Sequence, residues 1–146
     1  MPTKIPPTPE LVRAIPKVCL HEHLDGSLRP ATVIELARAA GYRELPHDEP
    51  GPLAEWFFAG ANQKALPLYL EGFRHTIAVM QSAQALERVA YEFVEDVAGA
   101  PVVYAEVRMA PELCTEQGLT LDEVVEAILA GFARGSAGTD LTIYLI

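Results

Sequence analysis

A chain of 146 residues is about one domain's worth of sequence, and its 20 acidic against 11 basic side chains give a formal charge of −9. Its lysines and arginines are scattered singly, so it offers no basic stripe to a phosphate backbone or an anionic bilayer, and nucleic acid and membranes are excluded as partners. No apolar run approaches the roughly 20 residues of a membrane span, and the opening MPTKIPPTPE lacks the apolar stretch of a signal peptide, so a cytoplasmic location is expected.

Residues 1–8, rich in proline, read as an extension. Thr8, Pro9 and Glu10 supply an N-cap, a first-turn proline and an early acid, which start a short helix that Pro16 stops. Lys17 to Leu24 alternates as a strand, with Val18, Leu20, Glu22 and Leu24 on one parity and Cys19, His21 and His23 on the other. Asp25-Gly26-Ser27 is a turn, and Pro30 opens a helix with apolar positions Val33, Ile34, Leu36, Ala37 and Ala40, closed by Gly41. The prolines and glycine of 42–52 predict a loop; Gly60 and Pro67 divide the next stretch into a short helix over Leu53–Phe58 and another from about Leu68. Ser82 caps a helix whose stripe of Leu86, Val89, Ala90, Phe93, Val94 and Val97 keeps the 3.6 period to Gly99. After Pro101, Val102–Met109 reads as a second strand. A TxxE capping box at Thr120–Glu123 begins a helix to about Arg134, and Leu141–Ile146 is a third strand. Strands joined by long helical crossovers imply an α/β fold with a parallel sheet.

The chain has four histidines, and His21 and His23 are spaced i, i+2 on the first strand. Alternate strand residues share a face, so both imidazoles can converge on one metal ion from rigid backbone, and neutral imidazole suits zinc. Asp25 continues the same parity if the chain stays extended. The three groups would then sit at the carboxyl end of a strand, where parallel α/β folds build their sites. Two histidines simply hydrogen-bonded in a core or on the surface fit the spacing as well. Other signatures are absent: position 25 is aspartate where HExxH needs histidine, no PCxxC follows, and neither GxGxxG nor GxxxxGK[ST] occurs. Cys19 and Cys114 form no CxxC and are expected to be reduced.

The run PKVCLHEHLDGSLRPATVIELA at 16–37, followed by RVAYEFVEDVA at 88–98 and VVYAEVRMAPEL at 102–113, resembles the adenosine deaminase family of the metal-dependent amidohydrolases. The resemblance implies a (β/α)8 TIM barrel, of which this chain would supply the N-terminal part, about three strands with their helices. It implies one Zn2+ per full-length chain and hydrolysis of adenosine, and of deoxyadenosine, to inosine and ammonia in purine salvage. His21 and His23 match the family's first two zinc ligands. His23 and Asp25 match positions that contact the nucleoside, with Asp25 towards the ribose. An LDG after the second histidine resembles adenosine deaminases more than the adenine deaminases, which carry an IEG version. The family's HAGE, HG and TDDP-like segments are missing, so the catalytic acid and base and the remaining ligands are expected beyond Ile146, and residues 1–146 alone are expected to be inactive.

Leu66, Tyr69, Leu70 and Phe73 resemble the apolar lid over the family's nucleoside, although core packing explains the same helical stripe. Trp56-Phe57-Phe58 would seal the neighbouring loop. Glu106 and Arg108 are expected to neutralise each other inside the barrel. His47 and His75 read as surface or packing residues. The acidic groups Glu92, Glu95, Asp96 and Asp122, Glu123, Glu126 read as solvated helix faces. Two rival functions stay open: deamination of another amino-purine (adenine or a futalosine-type nucleoside), and a non-catalytic binding or assembly module.

Overall fold

Each helix of the computed structural model, which describes residues 6–146, starts where a local signal removes the cost of unpaired backbone donors. Part of the extension expected over residues 1–8 lies outside the described residues. Helix α1 (Pro9–Ala14) is capped by Thr8, whose hydroxyl accepts from the Leu11 amide at 3.2 Å. Strand β1 (Lys17–His23) leads into a 3-10 turn at Leu24–Gly26 and then α2 (Pro30–Ala40). Gly41 ends α2 at φ 69°. Its amide and that of Tyr42 bond back to the Arg38 and Ala37 carbonyls at 3.3 and 2.8 Å, a Schellman closure that only a left-handed residue permits.

The next two helices are longer than the sequence suggests. Helix α3 (Pro50–Ala61) begins inside the expected loop because Pro50 occupies its first turn, where a missing N–H costs nothing, and it runs through Gly60 without a break. Pro67 likewise opens α4 (Leu66–Ala78) instead of interrupting it. Helix α5 (Ala83–Gly99) is capped by Ser82, and strand β2 spans Val102–Arg108. A short 3-10 turn at Pro111–Cys114, which the sequence did not signal, comes next. Helix α6 (Leu121–Ser136) has the full reciprocal box: Thr120 Oγ1 accepts from the Glu123 amide, and the Glu123 carboxylate accepts from the Thr120 amide at 2.8 Å. These bonds hold the Glu123 carboxyl below its ordinary pKa. Strand β3 (Thr142–Leu145) completes a parallel sheet of order β1-β2-β3.

The register corrects the simple alternation. Cys19 pairs with Ala105 but Glu22 pairs with Val107, so β1 carries one extra residue between them. The bulge reverses parity in mid-strand. Cys19 and Glu22 share the face of Ala105 and Val107, against the helices, and Cys19 packs against the main core there. His21 and His23 are left on the other face, together with Val18, which pairs with Tyr104. Cys19 therefore does not lie beside the histidines as strict alternation would have it.

The main core fills the space between the sheet and helices α5 and α6, with Leu86, Val94, Val107, Val124 and Ile128 fully buried. Gly131 and Gly135 let these two helices meet closely. A Cβ on Gly131 would strike the Glu87 carbonyl and lie 2.6 Å from the Ala90 Cβ; one on Gly135 would lie 2.8 Å from the Val94 Cβ. A second cluster of Val33, Ile34, Ala37, Leu53 and Val79 joins α2, α3 and α4. The acidic group on α5 is a clamp where a solvated face was expected. Arg29 meets Asp96 at 2.7 Å and Glu95 at 3.2 Å, while Arg88 bridges Glu92 at 2.8 Å and Glu35 at 2.7 Å, tying α2 to α5. Among the described residues no helix is long and apolar enough to cross a membrane.

Gly131→Ala is therefore expected to force α5 and α6 apart and cost roughly 1–3 kcal/mol as an overpacking change. Leu129→Ala, at an exposed position of the same helix, is expected to stay within about 0.5 kcal/mol. Thermal midpoints of the two variants, measured in the full-length protein, check this; equal midpoints would refute the close-packing argument.

Candidate metal and ligand site

Because the bulge turns them to the open face, His21 and His23 lie side by side at the carboxyl end of β1, their ring centroids 5.4 Å apart and their planes inclined by 38°. The chain then departs from the expected course. Asp25 does not continue the strand; it lies in the Leu24–Gly26 turn. Ser27 locks that turn, its hydroxyl donating to the His23 carbonyl at 2.7 Å and its amide to the Leu24 carbonyl at 3.1 Å. The turn still delivers Asp25 to the histidines, with Oδ1 3.5 Å from His23 Nδ1. This is an electrostatic contact and not a hydrogen bond.

Asp25 is only 6% exposed, and its Oδ1 has no hydrogen-bond partner. Burial pushes its carboxyl above the ordinary aspartate pKa, an effect that the adjacent His23 partly opposes. An orphaned buried carboxylate oxygen is costly unless a donor or cation fills the place. Cys114 is fully buried nearby, and burial pushes its thiol up to about 12.

Asp25 opens onto a cavity of about 300 Å³ between the turn and the α3–α4 pair, lined by Gly26, Trp56, Phe57, Tyr69 and Phe73 among others. Its size is at the low end for a small-molecule site, and a mostly apolar wall with few polar groups is the usual composition of one. Gly26 makes the approach possible, because a Cβ there would come within 3.2 Å of the Phe73 ring. Phe73 also stands edge-on to His23 at 6.3 Å. Of the four residues in the expected lid stripe, Tyr69 and Phe73 line the cavity, whereas Leu66 and Leu70 are 67% and 50% exposed. Trp56 and Phe57, on the expected helix, line the cavity, whereas Phe58 is exposed.

Two polar groups near this end of the sheet behave differently from the sequence reading. Glu106 accepts from the Tyr104 hydroxyl at 2.8 Å, and no ion pair joins it to Arg108, whose buried Nε has no partner. Tyr104, two residues before Glu106 on the same face of the strand, takes the carboxylate that Arg108 was expected to neutralise. His75 is buried in the helical layer, away from His21 and His23. Among the described residues no group of three or more His, Cys, Asp or Glu side chains could hold a metal. The two neighbouring imidazoles fit part of a zinc shell, since a catalytic zinc ordinarily has three protein ligands.

The family model described as "Adenosine deaminase" matches residues 16–146. An adenosine deaminase of Mycobacterium marinum is 56% identical over 129 residues, covering 88% of this chain and 36% of that protein. Among solved structures, an amidohydrolase from Burkhoderia ambifaria with bound Zn superposes with a TM-score of 0.78 at 27% identity, over 99% of this chain and 39% of the other. An adenine deaminase from Arthrobacter aurescens gives 0.76 at 26% identity, over 90% and 39%. The chain thus spans little more than a third of the length of the relatives it matches, and its open parallel sheet corresponds to the N-terminal part of an amidohydrolase barrel. The chain belongs to the adenosine deaminase family.

Proposed function

We propose that this chain supplies the opening part of a zinc-dependent hydrolase that deaminates adenosine and deoxyadenosine to inosine and ammonia, acting in purine salvage in the cytoplasm. The observation that carries the reading is the meeting of the His21–His23 pair with Asp25, whose unpaired oxygen belongs to a residue lining an aromatic cavity. In this reading His21 and His23 are two of the zinc ligands, each offering one ring nitrogen as a neutral imidazole. A zinc ion held there would polarise a water and lower its pKa towards neutrality. Asp25 accepts a ribose hydroxyl, which answers its missing hydrogen bond. Tyr69 and Phe73 on one side and Trp56 and Phe57 on the other cover the purine and exclude bulk water. The remaining ligands, the acid that protonates the ring nitrogen and the base that orients the water are assigned to the part of the family's length that this chain does not span.

The rival reading within the same chemistry is a deaminase of a free base or of another amino-purine nucleoside, and the adenine deaminase likeness gives it a specific footing. Asp25 separates the two. A hydrogen bond to a charged group contributes about 1.5–3 kcal/mol, so Asp25→Ala is expected to weaken adenosine roughly tenfold or more while adenine changes less than about twofold. Inhibition constants for the two ligands in the full-length protein check it, and equal losses would remove the ribose role.

Metal content gives a separate check. The full-length protein is expected to retain about one zinc per chain after dialysis, and His21→Ala or His23→Ala to lose most of it while the fold is kept by circular dichroism. Full zinc occupancy in both variants would refute their role as ligands. Residues 1–146 alone are expected to retain zinc poorly and to deaminate no adenosine; activity of the isolated segment would show that the site is complete without further residues. Weak zinc and absent turnover in the full-length protein would favour the non-catalytic module.

A further inference from the structure

Helix α4 carries Tyr69 and Phe73 to the cavity. Among the described residues of Leu66–Phe73 no side chain is buried, and burial begins at His75 and Thr76. The buried contacts of the described residues thus gather at the C-terminal end of the helix, beyond the two aromatic residues. His75 is 3% exposed, and its Nδ1 lies 2.8 Å from the Tyr42 hydroxyl. The Trp56 ring of α3 packs edge-on at 5.3 Å. Two residues on from Phe73, His75 lies on the far side of the helix, so the helix is gripped between the cavity and this contact. Tyr42 is an unusually fixed partner, because the Schellman closure of α2 sets its backbone immediately before the ring.

A second link runs parallel to the first. Arg74 Nη1 meets Glu44 Oε2 at 3.0 Å, but both side chains are more than half exposed, and such pairs contribute little. The part-buried Tyr42–His75 bond is the stronger tie, since breaking it strands the nitrogen of the buried His75 ring. Arg74 and Glu71 on α4 and Glu44 after α2 are the charges acting on the ring, while α3 presents the uncharged Trp56. Burial, reinforced by Arg74, keeps His75 below the ordinary histidine pKa, so the neutral ring can accept the Tyr42 proton at Nδ1.

We propose that Tyr42 and His75 are positioning residues, a latch that holds α4 so that Tyr69 and Phe73 stay over the turn bearing Asp25. The effect on substrate rests on the proposed deaminase reading; the effect on the helix does not. Neither residue touches the cavity's ligand space or the reacting atoms.

The test uses Tyr42→Phe, His75→Asn and His75→Leu in the protein expressed from its complete reading frame. Asparagine places Oδ1 near the position of Nδ1 and can still accept the Tyr42 proton; leucine fills the space but cannot. Amide hydrogen exchange across residues 66–78, referred to α5, is expected to quicken about five- to tenfold in Tyr42→Phe and His75→Leu and to return towards wild type in His75→Asn. The KM for adenosine should rise by a similar factor with kcat within about twofold. If α4 exchanges at the wild-type rate in Tyr42→Phe, or if His75→Asn is as fast as His75→Leu, the latch is refuted and the ring is mere packing. Faster α4 exchange in a protein whose wild type deaminates no purine would uphold the latch and overturn the deaminase reading.

Discussion

One extra residue in β1 decides which face of the sheet carries the chemistry. A strand that alternated strictly would place Cys19 on the face of His21 and His23. The bulge between Cys19 and Glu22 separates them. It sends the small, weakly polar Cys19 into the core and brings the two histidines to the open side beside the end of β2. Glu22, on the helix side, is used locally, accepting from the His23 amide at 3.2 Å and from Ser27 at 3.3 Å. Backbone pairing thus supplies both the direction of the histidines and the stiffness that a metal site needs.

The remainder of the fold supports that strand end. The α5–α6 layer backs the sheet, its helices brought close at Gly131 and Gly135, and Leu24 and Cys114 are fully buried in the same core. The second cluster is separate, so α3 and α4 can be shaped as a wall for the cavity without disturbing the sheet. Val33, Ile34 and Ala37 hold α2 in the second cluster, with the Arg29 and Arg88 ion pairs alongside, and the close of α2 sets the Tyr42 backbone.

Local signals are legible in the sequence wherever one residue satisfies its neighbours' backbone. Thr8, Ser82 and Thr120 as caps and Gly41 as a terminator are each found at the expected place. The α5 stripe and the three strands follow from periodicity in the same way. Pro50 and Pro67 mislead because proline both opens and breaks helices, and only the flanking geometry tells which. The bulge leaves no mark, since it exists only relative to β2, far along the chain. The same holds for His75, whose burial depends on Tyr42 and Trp56 from two other elements, and for Arg108, whose expected partner is taken by Tyr104. In the site, residue types and spacing disclose the His21–His23 pair, while the cavity and the unpaired Asp25 oxygen require three dimensions.

The separation between β1 and β2 also bears on how the molecule comes together. Four helices intervene between the paired residues Cys19 and Ala105, whereas α5, β2 and α6 are neighbours in the chain. Loop entropy must be overcome before so distant a pairing gains anything, so the expected folding order has the α5–β2–α6 unit forming first and β1 docking onto it afterwards. His21 and His23 acquire their common direction only when the bulged register is in place. Until then they are two imidazoles on an unpaired strand, and their common direction arrives with the pairing of β1 and not with the sequence motif itself.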